Sequence, residues 1–307
     1  MTNATFMAIV FAGTAAGAFL APPALEVFLA AEAQAQETMR SEIAYGVYDP
    51  QGTFSKTDSI SIEHVYVPWL DADLLSLRDV DNYARQRNRS LQVTLEPRSW
   101  SPGWDTRPDQ LRDDILGGRY DDTIDAACTA LGSLESRVTV RWGHEMEDSI
   151  EHFPWSGWAP QDYIAAYRYF VDRCRAVAPD LRFMWAPRGS PNLRDYYPGD
   201  EYVDAIGLTV LGLQKYDIAT RGSSATFAEI LRPGYDLVAG YGKPVAVAEL
   251  GFSGDAAYGK AWREGIRQAH EGFPLVEAMI YFNSVDPNPW PEDLGNPDWR
   301  VESDLFE

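Results

Sequence analysis

The sequence predicts an α/β protein folded as a closed (β/α)8 TIM barrel. Eight short apolar runs recur along the chain with amphipathic stretches between them. Several runs are apolar at consecutive positions, as strands of a parallel sheet are when both faces are covered. Eight such units within residues 36–307 match the roughly 250 residues typical of this barrel. The rival, a doubly wound open sheet, often carries a glycine-rich phosphate turn after its first strand. Here "YGVYDPQGTFS" contains no G-x-G-x-x-G.

In chain order, the strand candidates are "IAYGVY", "IEHVYVPW", "LQVTLEP", "RVTVRW", "LRFMWAP", "VDAIGLTV", "PVAVAEL" and "VEAMIYF". Helical periodicity marks "DADLLSLRDVDNYARQR", "YDDTIDAACTALGSL", "PQDYIAAYRYFVDRCRAV", "TFAEILRPGYDLVAG" and "KAWREGIRQAHEG". Trp185, inside "FMWAP", reads as barrel interior. Residues 36–307 are expected to form a single domain. No long low-complexity run interrupts them.

Residues 4–31 are nearly all apolar or small, and "AEAQAQE" offers small residues at alternating positions, as a signal-peptidase site requires. Residues 1–35 are therefore read as a signal peptide cut after Ala35, or as a retained N-terminal anchor. The anchor alternative stays open because no Lys or Arg precedes the apolar stretch, which is long enough to hold in a bilayer. Either way the expected location is exported, periplasmic or extracellular.

The formal net charge is −20, and the first 35 residues contribute only Glu26 and Glu32 to it. A surface so acidic repels phosphate backbones and anionic lipid, which argues against nucleic-acid and membrane-surface partners. Neutral ligands fit better. Ten Trp and 13% aromatic residues suit sugars, whose flat C–H faces stack on rings. Four His and no zinc-like Cys/His spacing leave little for a metal centre, and no cofactor is expected. Cys128 and Cys174 both fall in helical patterns and are expected as two buried thiols rather than a disulfide. A monomer is expected.

In a barrel, chemistry belongs where strands end and loops begin. Glu145, in "RWGHEM", ends the fourth strand, and Glu249, in "VAVAELG", ends the seventh. Two carboxylates at opposed strand ends are what glycosidic bond cleavage needs, one protonating the leaving oxygen and the other attacking the anomeric carbon. Each taken singly also reads as an exposed loop residue or the partner of an arginine.

The segments "RWGHEM", "FPWSG", "YYPGDEYVDAIGL", "KPVAVAELG" and "YFN" together resemble glycoside hydrolase family 26, the β-mannanase-like family with some β-glucanase members. The resemblance runs from about the third strand to the eighth. It implies a barrel with catalytic carboxylates on strands four and seven, and hydrolysis of β-linked polysaccharide or oligosaccharide with retained configuration. Glu145 falls at the family's acid/base and Glu249 at its nucleophile. It also implies that His144 contacts sugar or nucleophile, and that Arg141 lends positive charge near the pair. For both, a structural role in the core is the alternative.

Trp155 falls where the family places a glycan-facing aromatic. Trp69, Trp100, Trp104, Trp158 and Trp290 also lie near strand ends or the loops after them, with core packing as the competing assignment for about half of the set. Tyr281 and Asn283 share one face of strand eight, opposite Phe282, and Tyr281 is expected to reach the nucleophile. Two departures from the family stand out. After "VDAIGL", Thr209 and Leu211 replace the usual Asp and Tyr, which puts mannan in question and makes a β-glucan, or a glycan-binding barrel without catalysis, the alternatives. The insertion "EDSIEH" is expected to bring Glu147, Asp148, Glu151 and His152 to the rim.

Overall fold

The computed structural model describes residues 43–147 and 153–306. Eight parallel strands close in chain order: β1 (Ala44–Tyr48), β2 (Ile60–Pro68), β3 (Ser90–Glu96), β4 (Val138–Trp142), β5 (Arg182–Trp185), β6 (Ala205–Leu213), β7 (Val245–Ser253) and β8 (Val276–Phe282), with β8 pairing back to β1. The predicted (β/α)8 class is the observed one. Around the strands lie α1 (Leu77–Arg85), α2 (Pro108–Leu116), α3 (Asp121–Gly132), α4 (Pro160–Val177), α5 (Gln214–Arg221), α6 (Phe227–Val238), α7 (Ala256–Arg267) and the single turn α8 (Ala269–Gly272). Ile43–Glu307 forms one compact unit.

The helical ring is less regular than simple alternation implies. Among the described residues no helix joins β1 to β2, and only two 3-10 turns, Leu193–Tyr196 and Asp200–Tyr202, precede β6. Helices α2 and α5 have no counterpart among the five periodic stretches. The reason is visible in what they bury: α2 covers only Leu111 and Ile115, and α5 only Asp217, so neither carries a full apolar stripe.

Side-chain size separates the two faces of the sheet. The large residues Val138, Val140, Trp142, Phe183 and Trp185 face the helices and join one extensive core. Trp185 packs on Tyr197 and Tyr241, so it lies outside the barrel rather than within it as the sequence suggested. Inside, Met184, Ala186, Ala205, Ala246, Ala248 and Ile280 form a separate small cluster. Strands approach closely there: a Cβ on Gly207 would lie 2.7 Å from Met184 Sδ, so this position takes no larger residue without a shift.

Cys128 of α3 and Cys174 of α4 form a disulfide, with Cα atoms 5.2 Å apart. The two buried thiols expected from sequence are thus one bridge. Periodicity places each cysteine on a buried helix face but leaves open that the two faces meet. Arg173 strengthens the same helix pair through Asp121, at 2.8 Å, and Asp125.

Candidate active site

The mouth of the barrel is built from alternate strand positions. On β2 and β3, His64, Thr94 and Glu96 are buried and Tyr66 is half-buried, and on β4 Arg141 is fully buried. Thr94 Oγ1 joins these strands: it lies 2.8 Å from His64 Nε2 and accepts from Arg141 Nη1 at 3.3 Å. Arg141 Nη1 also donates to Glu249 Oε1 at 2.6 Å, an ion pair reaching from β4 to β7. Among the described residues its Nε and Nη2 have no hydrogen-bond partner.

Glu249 reaches that position through a β-bulge. Val247 pairs with Leu208 on β6 and with Met279 on β8, whereas Glu249 pairs with Thr209 and Leu250 with Tyr281, so β7 carries one residue more than either neighbour across this stretch. Strict alternation would put Glu249 on the side of Val245 and Val247, which belong to the outer core. The extra residue carries Glu249 to the inner side with Ala248, while Leu250 and Phe252 face outward again.

Glu145 is held differently. It follows Gly143, whose φ is 55°, and itself adopts φ 53°, a left-handed conformation uncommon outside glycine. Its amide donates to the Ala186 carbonyl at 2.8 Å, drawing the end of β4 over the end of β5. Thr209 Oγ1 donates to its Oε1. Burial raises the Glu145 pKa above the ordinary carboxylate value, and the nearby Glu249 charge adds to that rise. Arg188, Arg141 and the Thr209 hydrogen bond oppose it.

The two carboxylates therefore occupy unlike settings in one cavity mouth. Glu249 has a guanidinium on one oxygen; Glu145 is buried and its pKa is shifted upward. His144 is buried, and burial, with Arg141 next, holds it well below its ordinary pKa, so it is neutral at pH 7. Its ring meets Phe153 edge-on at 4.4 Å. Tyr66 brings a fully buried hydroxyl beside Glu249 without an aligned hydrogen bond, and burial followed by that charge raises its pKa well above the usual value.

Several aromatic expectations change. Trp155 is completely buried, donates Nε1 to the His144 carbonyl at 2.6 Å and lies stacked on Phe153, so it presents no open face to a glycan. Trp69 is 4% exposed and packs between Tyr120 and Trp142 in the helical layer. Trp158 is likewise buried, its Nε1 on the Pro108 carbonyl. Trp104 and Trp290 are half-buried, the latter with Nε1 on Asp286 Oδ2 at 2.9 Å. Trp100 is the open one, 52% exposed, with its indole N–H held by Glu96 at 2.6 Å.

Tyr281 does not reach Glu249. Its hydroxyl donates to the Trp299 carbonyl at 2.8 Å, and its ring packs on Phe252 in the outer core. The alternation along β8 is as the sequence indicates, but the inward side is that of Phe282, which contacts Tyr48 and Tyr66. Asn283 holds Asp49 and the Val301 amide. Glu147 is buried rather than at the rim, accepting from the Gly189 and Ser190 amides, which ties the end of β4 to the loop after β5. Asp148, Glu151 and His152 lie outside the described residues.

His64, Tyr66, Thr94 and Phe282 were not singled out from sequence. A signal existed: in "IEHVYVP" and "LQVTLE", His64, Tyr66, Gln92, Thr94 and Glu96 alternate with Val and Leu, a polar column on one face of otherwise apolar strands.

Residues 116–232 match the profile of glycosyl hydrolase family 26. The match covers 117 of the chain's 307 residues. A mannan endo-1,4-β-mannosidase of Bifidobacterium adolescentis is 30% identical to this chain over 171 residues, 47% of the chain and 16% of the relative. A β-1,3-xylanase of a Vibrio species is 27% identical over 107 residues, 33% of the chain and 22% of the relative. The matches thus span about a fifth of each curated relative. Among solved structures, a family 26 β-mannanase from Bacteroides ovatus aligns with TM-score 0.60 and 17% identity over 88% of both chains. The catalytic domain of a Bacillus endo-β-1,4-mannanase aligns with TM-score 0.62 and 20% identity, covering 80% of this chain and 78% of that one. These structural likenesses confirm the fold.

Proposed function

We propose that the chain is a retaining, endo-acting β-glycan hydrolase in which Glu145 is the acid/base and Glu249 the nucleophile. The observation that carries this reading is the asymmetry between the two carboxylates: Arg141 bonds Glu249 at 2.6 Å, whereas burial and the Glu249 charge favour a proton on Glu145. Environments that push paired carboxyls apart assign the acid and the nucleophile.

In the first step the Glu249 carboxylate attacks the anomeric carbon while Glu145 gives its proton to the departing glycosidic oxygen. That step forms a glycosyl ester and an ionised Glu145. Glu145 then takes a proton from water, whose oxygen displaces Glu249 and returns the acid form. Neutral His144 can exchange a hydrogen bond with a sugar hydroxyl, and Trp100 offers an exposed ring at the rim.

Mannan is the first substrate to try, because of the mannosidase relative. Thr209 and Leu211, which replace the Asp and Tyr usual in the family, favour a second reading in which the same chemistry acts on another β-glycan. The xylanase relative adds β-1,3-xylan to the β-glucans already considered. Residues 1–35, outside the described residues, are proposed to direct export as a signal peptide or an anchor.

The deciding experiment combines a depolymerisation screen with azide rescue. Glu145→Gln should lower turnover by about 10²–10⁴-fold, and Glu249→Ala by about 10⁴-fold or more. Azide should restore Glu249→Ala and yield a glycosyl azide of inverted configuration. Wild-type protein that binds but cleaves none of mannan, β-glucan or β-1,3-xylan would refute the hydrolase reading and indicate a binding barrel.

A further inference from the structure

We propose that Thr209 is a positioning residue that confines the exchangeable proton of Glu145 to one carboxyl oxygen, Oε2; the consequence for turnover rests on the hydrolase reading above. Thr209 faces inward on β6, with its Cα paired to that of Glu249 and its hydroxyl donating to Glu145 Oε1. The same contact touches one carboxyl and neighbours the other.

Glu145 is clamped at both ends. Its amide is bonded to the Ala186 carbonyl at 2.8 Å, and its own carbonyl accepts from Ser156 Oγ at 3.4 Å. Its carboxyl is tethered through Oε1 alone; among the described residues Oε2 makes no hydrogen bond, and it is not among the sealed unpaired atoms, so it borders the mouth. A threonine hydroxyl has one proton to give. With that proton directed at Oε1, this oxygen is an acceptor both when Glu145 is ionised and when it is protonated. The proton therefore leaves from and returns to Oε2 in both chemical steps, and the hydroxyl keeps its orientation throughout. An aspartate at this position, the usual family residue, is an acceptor when ionised and gives no such bond.

The test compares Thr209→Val, nearly isosteric but without a donor, with Thr209→Ser, which keeps the donor. On the polysaccharide that the wild type cleaves, Thr209→Val should lose about ten- to a hundredfold in kcat, part of what positioned proton transfer contributes. KM should stay within about twofold, and Thr209→Ser within about threefold of wild type in kcat, because a lost transition-state contact appears in kcat. A dinitrophenyl β-glycoside, whose leaving group needs no protonation, should form the glycosyl ester at nearly the wild-type rate in both variants. Independently of activity, the 13C titration midpoint of the Glu145 carboxyl should rise in Thr209→Val and not in Thr209→Ser, since the bond favours the ionised form. An unmoved midpoint, or an equal loss on both substrates, overturns the proposal. A moved midpoint in a protein that cleaves no β-glycan refutes the hydrolase reading and upholds the Thr209 contact.

Discussion

The Arg141 guanidinium meets the Glu249 carboxylate at 2.6 Å across the barrel, joining β4 to β7 through two residues 108 positions apart. Arg141 is fully buried while the Glu249 side chain is 14% exposed, so only one partner of the pair has access to solvent. A buried pair is costly to break from one side, because the remaining charge has lost its counterpart.

Arg141→Met should consequently destabilise the fold by about 3 kcal/mol and abolish turnover. Arg141→Lys should recover part of the stability but little of the activity, since a buried ammonium is more strongly hydrated than a guanidinium and gives up its proton more readily. Urea unfolding and kcat on the cleaved glycan, measured for both variants, check this separation.

Glu145 predicts a pH-dependent stability difference. Its folded-state pKa is raised, by burial first and by Glu249 next, so folding favours its proton. That contribution is complete below the unfolded value, near pH 4, and is lost as pH rises through the folded value. Glu145→Gln, which never ionises, should match wild type in thermal midpoint near pH 4 and exceed it at pH 7. A constant difference across that range would show that Glu145 does not titrate as described.

The Cys128–Cys174 bridge closes a loop of 46 residues. Chain entropy alone gives such a cross-link about 4 kcal/mol. The double variant Cys128→Ser, Cys174→Ser should lose stability of that order in denaturant unfolding. The unreduced denatured protein should show no thiol reactive toward a disulfide-exchange reagent.

Two tryptophans should separate binding from folding. Trp100→Ala should raise KM on polymer by about three- to tenfold, the scale of one aromatic contact, while leaving thermal stability near wild type. Trp155→Ala should cost about 3–5 kcal/mol, because its ring is buried between the His144 carbonyl and Phe153. Calorimetry alongside steady-state kinetics distinguishes the two effects.

Sequence alone determined the eight-strand barrel, the strands whose ends carry Glu145 and Glu249, and the placement of Arg141 two residues before the "GHE" turn. Those follow from local pattern: apolar runs set strands, and period-two alternation groups side chains by face. It did not decide which face is inward. On β8 the alternation was correct, but Tyr281 turned to the outer core and Phe282 to the mouth. On β7, alternation by itself would have turned Glu249 outward, and the bulge at Ala248 reverses it. A bulge is a mismatch in pairing with neighbouring strands, and the disulfide is a meeting of two helices; both depend on segments distant in sequence. The left-handed backbone at Glu145 is of the same kind, held by contacts to Ala186 and Thr209 that exist only once β5 and β6 are in place.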